Sequence, residues 1–232
     1  MEVLKKLEKQ SQNHSFEEVL NTDQLIDQYF GIDYGIGELE VDQSSEELYS
    51  GIDIRALQTS YLDYYKIFLK MDDGHVLVDL GAGYCRGSLL ANYIPKRKCI
   101  SLELSESRLN QALKVEEKFK FPKSIQKCNL LIDPIPHGNS YYLYFPLGKV
   151  MYQIIRALLL RKESFIFICE SHGDVIPLFD RLPWFREVSN FKVSLPRHND
   201  RIYKYEIIEI DKTSWKDDFI SWYISNENKN LL

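Results

Sequence analysis

From His75 onward, short apolar runs alternate with amphipathic ones, and this alternation limits the fold more than any other feature of the 232 residues. Residues 76–80 (Val-Leu-Val-Asp-Leu) read as an apolar strand, followed at once by Gly81-Ala82-Gly83. Residues 86–94 read as a helix ending at Pro95, and residues 99–102 as a second strand closed by Glu103. Ser105 is placed to cap a helix reaching Phe119, in which Leu109, Ala112, Leu113, Glu116 and Glu117 recur at helical spacing. Further strands are expected at 125–131, 141–145 and 164–169, with a helix over 147–160. Two last strands, 191–195 and 203–210, flank a polar turn at 196–200. Five βα repeats and a terminal strand pair imply an α/β fold, a mostly parallel sheet with helices on both faces.

The first part of the chain is different in kind. Residues 1–48 are polar with short helical patterns, such as Phe16, Val19 and Leu20, then Leu25, Ile26, Tyr29 and Phe30. Gly31, Gly35 and Gly37 break that pattern. Residues 49–71 read as an amphipathic helix after Asp53, carrying Leu57, Tyr61, Tyr64, Tyr65, Phe68 and Leu69, and Asp72-Asp73-Gly74 stops it. The division is therefore a mostly helical arm, 1–71, and a domain, 72–232. Charge follows the same division. Residues 1–54 hold 13 acidic and 3 basic residues, a net of −10, and the other 178 hold 21 and 26, a net of +5. Such an arm reads first as a solvated helical face and, more sharply, as a surface attracting a basic protein. The basic excess of the body is below what a strong nucleic-acid binder carries.

No apolar run approaches the ~18 residues that span a bilayer. The longest, 150–160, is interrupted by Gln153 and Arg156. The first residues, MEVLKKLEKQSQ, lack an apolar leader core, so a cytoplasmic protein without membrane contact is expected. Cys85, Cys99, Cys128 and Cys169 have no ligand-like spacing and read as reduced thiols, with no metal site expected.

Ligands of such sheets sit at the carboxyl ends of the strands, where the strand order reverses. Asp79, Leu80, Gly81, Ala82 and Gly83 occupy that place. The two glycines permit a sharp turn and close approach of a ligand to the backbone. Glu103 ends the second strand, where a carboxylate can accept hydrogen bonds from a ribose diol. Two cofactor classes share this geometry. A dinucleotide turn needs a third glycine where this chain has Arg86, with Gly87 one residue late. Asp79 is unfavourable beside a phosphate and useful beside an amine.

VLVDLGAGYCRG followed by CISLELS resembles the first two motifs of class I S-adenosylmethionine-dependent methyltransferases, over residues 50–210. The resemblance implies a Rossmann-like sheet of seven strands and S-adenosylmethionine as cofactor. It implies that Gly81, Ala82 and Gly83 pack on the amino-acid portion, that Asp79 orients its amino group and that Glu103, beside Leu104, holds the ribose. Asn129 would read the adenine amine and Leu130 would flank its ring. The Asn-Pro-Pro-Tyr motif of many nucleic-acid amino methylases is replaced by Tyr144-Phe145-Pro146-Leu147-Gly148. A weaker likeness is to seven-strand protein-lysine methyltransferases, with Tyr49 to Asp53 upstream and Arg86 after the glycine turn.

A protein lysine amine is the favoured acceptor on these grounds. RNA, a small molecule or a non-catalytic scaffold are the alternatives. A lysine nucleophile must be neutral, which an apolar channel promotes. Tyr49, Phe145 and Pro146 are candidate substrate contacts, and Tyr144 and His172 candidate catalytic residues lining the acceptor site.

Overall fold

Aliphatic side chains on both faces of Val76–Leu80 suit a strand covered from both sides, and this segment (β1) lies in the middle of a seven-stranded sheet. The computed structural model describes residues 2–34, 58–144, 148–161, 164–171, 185–194 and 201–207. Among them, three helices precede β1: α1 (Glu2–Gln12), α2 (Phe16–Phe30) and α3 (Tyr61–Leu69). After it come α4 (Arg86–Ala91), β2 (Lys98–Glu103), α5 (Glu106–Phe119), β3 (Ile125–Lys127), β4 (Ser140–Leu143), α6 (Gly148–Leu159), β5 (Ile166–Ser171), β6 (Phe185–Lys192) and β7 (Arg201–Ile207).

The strand order is β3-β2-β1-β4-β5-β7-β6, and β7 runs opposite to the other six strands. The fold is α/β and Rossmann-like, as the alternation implies. The order reverses between β1 and β4, which places a ligand crevice at their carboxyl ends.

Several expected boundaries move, each for a local reason. Helix α3 starts only after Ser60, whose hydroxyl accepts the Asp63 N–H at 2.9 Å, and Gln58 and Thr59 are not helical. Residues 49–57 lie outside the described residues. Helix α4 stops at Ala91, and i→i+3 bonds from Tyr93 and Ile94 tighten the next turn of chain. Strand β3 spans three residues because the Asn129 carbonyl accepts both Ile132 and Asp133 N–H, turning the chain away. No helix joins β3 to β4, so one of the expected βα repeats is a loop. Strand β6 begins at Phe185, ahead of the expected 191, and an irregularity between Glu187 and Ser189 lengthens it. The turn 196–200 and residues 208–210 lie outside the described residues.

Alternation along the strands sends side chains to two cores. Leu77, Tyr142, Ile168 and Ile202 face α3 and α4, in a core that also takes Leu7, Val19, Ile26 and Phe30 of the N-terminal helices. Val78, Leu80, Tyr141, Phe167 and Tyr205 face the other way, onto Ile154, Ile155 and Leu158 of α6.

Candidate functional site

The chain leaves β1 through a turn that needs left-handed backbone. Gly81 and Gly83 have φ of +75° and +56°, and Cys85, at φ 58°, is in the same region despite its side chain. The N–H groups of Gly81 and Ala82 both donate to the Leu102 carbonyl, at 2.9 and 2.8 Å, which pins the turn to β2. Glu103, the last residue of β2, pins it a second time. Its carboxylate accepts the N–H groups of Gly83 (2.7 Å), Leu104 (2.9 Å) and Ser105 (2.8 Å). The last two precede α5, where a negative charge is favoured by the helix dipole. Ser105 holds the N-cap position, but its hydroxyl meets Ser107 and makes no cap bond, so the Glu103 carboxylate is the acceptor at this end of the helix. A carboxylate has roughly four lone-pair sites, so three backbone bonds leave about one for a ligand.

The residues singled out in the sequence are divided by the fold. Gly81, Ala82, Gly83, Glu103 and Leu130 come together. Leu130 Cδ1 lies 4.0 Å from where a Cβ on Gly81 would stand, and nothing else described comes as near that point. Leu104 is exposed. Asn129 follows β3 and closes its turn, its side chain accepting the Leu131 N–H at 3.1 Å. Asp79 lies deeper, on the same face of the sheet as Glu103. It shares the face of Leu77, lies buried beneath α4 with Oδ2 3.0 Å from the Cβ position of Gly87, and accepts the Tyr64 hydroxyl at 2.8 Å. Burial pushes its carboxyl up to about 7, opposed by the Tyr64 hydrogen bond and reinforced by Glu103. Tyr144 follows β4, half-buried. Tyr49, Phe145, Pro146 and His172 lie outside the described residues.

Three features were not legible as site elements. The Gln58 side chain rests on the turn, its Oε1 2.6 Å from the Cβ position of Gly83. Thr59 Oγ1 meets the Tyr142 hydroxyl at 2.7 Å, and that hydroxyl lies 3.4 Å from the Glu170 carboxylate on β5, where it donates. The third is Arg86, the first residue of α4 and wholly buried. Its guanidinium donates to Asp23 (3.0 Å), Asp27 (2.5 Å) and the Thr59 carbonyl (3.0 Å). Tyr34 also joins it, and the Tyr61 ring lies 4.9 Å below. Asp23 and Asp27 stand four apart on α2, on the face of Val19, Ile26 and Phe30, and that placement of carboxylates on an apolar face is the signal that could have revealed them. Burial pushes the Asp23 carboxyl up to about 7 against the pull of Arg86. The reading of the arm as a solvated acidic face is corrected at these two carboxylates, which are internal counter-charges, while Glu8, Glu17, Glu18 and Asp33 are exposed.

No family model matches the sequence, and no curated protein does either. Solved structures do resemble it. TrmN from Thermus thermophilus superposes with a TM-score of 0.54 at 14% identity, over 64% of this chain and 49% of that one. The M1A22 tRNA methyltransferase TrmK of B. subtilis gives 0.50 at 13% identity, over 72% and 76%. A protein of the NADB-Rossmann superfamily from Streptococcus agalactiae gives 0.50 at 12%, over 72% and 80%. The match therefore spans about half of the T. thermophilus protein. At such identities the likeness is one of fold. Among the described residues, no helix is long and apolar enough to cross a membrane.

Proposed function

We propose that this chain is an S-adenosylmethionine-dependent methyltransferase whose acceptor is RNA. The observation that carries the reading is the doubly pinned glycine turn at the strand-order reversal, open above Gly81 and edged by Leu130. An adenosine fits such a cradle: the remaining lone pair of Glu103 takes a ribose hydroxyl and Leu130 lies along the base. The backbone of Gly81, Ala82 and Gly83, with the Gln58 amide, meets the amino-acid end. Asp79 contributes from below by accepting the Tyr64 hydroxyl beneath α4. The cofactor supplies a methyl group made electrophilic by its sulfonium, and the protein's task is to align an acceptor with it, an effect worth up to roughly 7–11 kcal/mol. Tyr144, beyond the end of β4, lines the acceptor side.

RNA is favoured over a protein amine for two reasons. Asp23 and Asp27 face Arg86 and not water, so two of the arm's carboxylates give no pull on a basic protein. TrmK, a tRNA methyltransferase, shares the fold.

Titration calorimetry with S-adenosylhomocysteine tests the cofactor. Binding by the wild type is expected, with a loss of about tenfold or more for Glu103→Ala, since one charged hydrogen bond is worth about 1.5–3 kcal/mol. An unchanged affinity removes Glu103 from the site. Labelled methyl from S-adenosylmethionine should then enter nuclease-sensitive material of a cell extract. Label found only in protease-sensitive material would overturn the RNA reading.

A further inference from the structure

At the end of the sheet opposite the glycine turn, β2 outruns β3. Pairing between them starts at Ser101 and Ile125, so Lys98, Cys99 and Ile100 are bonded to β1 and meet no strand on their other side. The chain enters β3 through Pro122 and Lys123, and Ser124 is the residue that reaches β2, its carbonyl accepting the Ser101 N–H at 2.9 Å. A cavity of about 250 Å³ lies at this open edge, bounded by residues 98–100, residues 122–124 and the end of α4 at Ala91 and Asn92. Val76, the first residue of β1, also lines it, and the glycine turn follows Leu80, about 13 Å along the strand.

The lining has two parts. Val76, Ala91, Ile100 and Pro122 form an apolar wall, and Arg97, Lys98 and Lys123 bring three cations, with no acidic residue beside them in the lining. Lys98 and Lys123 are exposed, and among the described residues neither makes a hydrogen bond or ion pair. Arg97 donates to the Asp73 carboxylate at 2.9 Å and to the Asp72 carbonyl at 3.3 Å, while its Nε is buried without a hydrogen bond. Two acids bond the lining residues, and both are engaged. Asp73 is shared between Arg97 and Lys96, and Glu116 accepts the N–H and the hydroxyl of Ser124 at 2.7 and 2.8 Å. The backbone adds a donor. The N–H of Ser101 points to the β3 side of β2, so that of Cys99, two residues earlier, points to the open edge. The Cys99 carbonyl on that edge is already met by the Ser88 hydroxyl at 3.1 Å.

Two ammonium groups without counter-charges and a backbone N–H suit an anion of more than one charge, and the apolar wall suits a ligand with an apolar body. A phosphate monoester carries about −1.5 to −2 at pH 7, and lysine is a common point-charge partner for it. The cavity is below the roughly 300–1,000 Å³ that holds drug-sized ligands, so the body is small. We infer that this cavity is a binding site for a small organic phosphate monoester, its phosphate held by Lys98, Lys123 and the Cys99 N–H and its body laid on Ile100 and Ala91. The site is separate from the glycine turn and does not depend on the methyltransferase reading.

The experiment is an amide NMR titration of the isotope-labelled full-length protein with phenyl phosphate, and with inorganic phosphate and benzylamine as the comparison probes. Phenyl phosphate should give saturable shifts centred on the Asn92, Cys99 and Ser124 amides. Inorganic phosphate, which lacks the apolar body, should bind more weakly, and the cation benzylamine should leave these amides unmoved. Lys98→Gln combined with Lys123→Gln should weaken phenyl phosphate by roughly tenfold or more, since two charged hydrogen bonds are lost. Both side chains are exposed, so the rest of the amide spectrum should be unchanged, and so should the affinity for S-adenosylhomocysteine. An absence of saturable shifts at these amides, or wild-type affinity in the double variant, would overturn the site. An equal response to inorganic phosphate or to benzylamine would overturn the ligand class. Shifts centred on Gly81 to Gly83 would place the phosphate at the glycine turn and overturn the inference as well.

Discussion

The two faces of the sheet are built on different physics. The face under α6 is almost wholly apolar, with Ile154, Ile155, Leu158, Leu159, Phe165, Phe167 and Phe185 closing over Val78, Leu80 and Leu143. The face toward the N-terminal helices buries Arg86, Asp23, Asp27, Asp63 and Asp79 among its tyrosines. Apolar contact is non-directional and tolerates small shifts, whereas a buried ion cluster has few arrangements that satisfy every group. Such clusters add little net stability, because desolvation offsets their attraction. What the second face gains is position: Arg86 opens α4 directly after the glycine turn, and its partners on α2 and at Thr59 hold that turn from behind.

Removing Arg86 should therefore be the most damaging change. Arg86→Met leaves two buried carboxylates facing each other, and breaking a buried pair this way costs about 3–5 kcal/mol. For a chain of this size we expect the melting midpoint to fall by roughly 6–20 °C. S-adenosylhomocysteine affinity should fall with it, because the anchor lies close behind the turn. A loss of stability with full ligand affinity would mean that this face serves the fold alone.

The opposite face supplies the control. Ile155 is buried in α6, and Ile155→Ala should cost about 2–4 kcal/mol, or roughly 4–16 °C. Ligand affinity at a temperature where the variant is folded should stay at the wild-type value. If Ile155→Ala and Arg86→Met weaken the ligand equally, the contrast between the faces has no functional content.

The same contrast explains how much could be read in advance. The apolar pattern of β1 and β2, the glycine turn and the strand-terminal Glu103 depend on local periodicity and spacing, so the sheet and its ligand crevice were legible. Glu103 was legible as a carboxylate at the end of the second strand. Its three backbone bonds were not, because they depend on how the turn folds back. Arg86 is separated from Asp23 and Asp27 by about sixty residues: the apolar face of α2 could mark the two carboxylates as internal, but no local pattern names their partner across such a gap. Asp79 shows the limit most clearly. Position in the motif places it at the end of β1, but its burial under α4 and its bond from the Tyr64 hydroxyl depend on packing that no local spacing shows.

That placement has a consequence in pH, smaller than the effects above. Burial raises the Asp79 carboxyl to about 7 from its ordinary 3.8, so over the interval between these values the folded chain holds a proton that the unfolded chain has released. The contribution to stability is complete below the unfolded value and is lost as pH rises through about 7; Asp23, raised in the same direction, adds to it. Asp79→Asn keeps an acceptor for the Tyr64 hydroxyl and removes the titration. The midpoint of the variant should accordingly gain on that of the wild type as pH rises from about 5 to 8, and should level off above that, where Asp79 is already ionised. Thermal melts of both proteins across this range decide the matter. Parallel curves would place Asp79 in water in the folded state and overturn its buried position beneath α4.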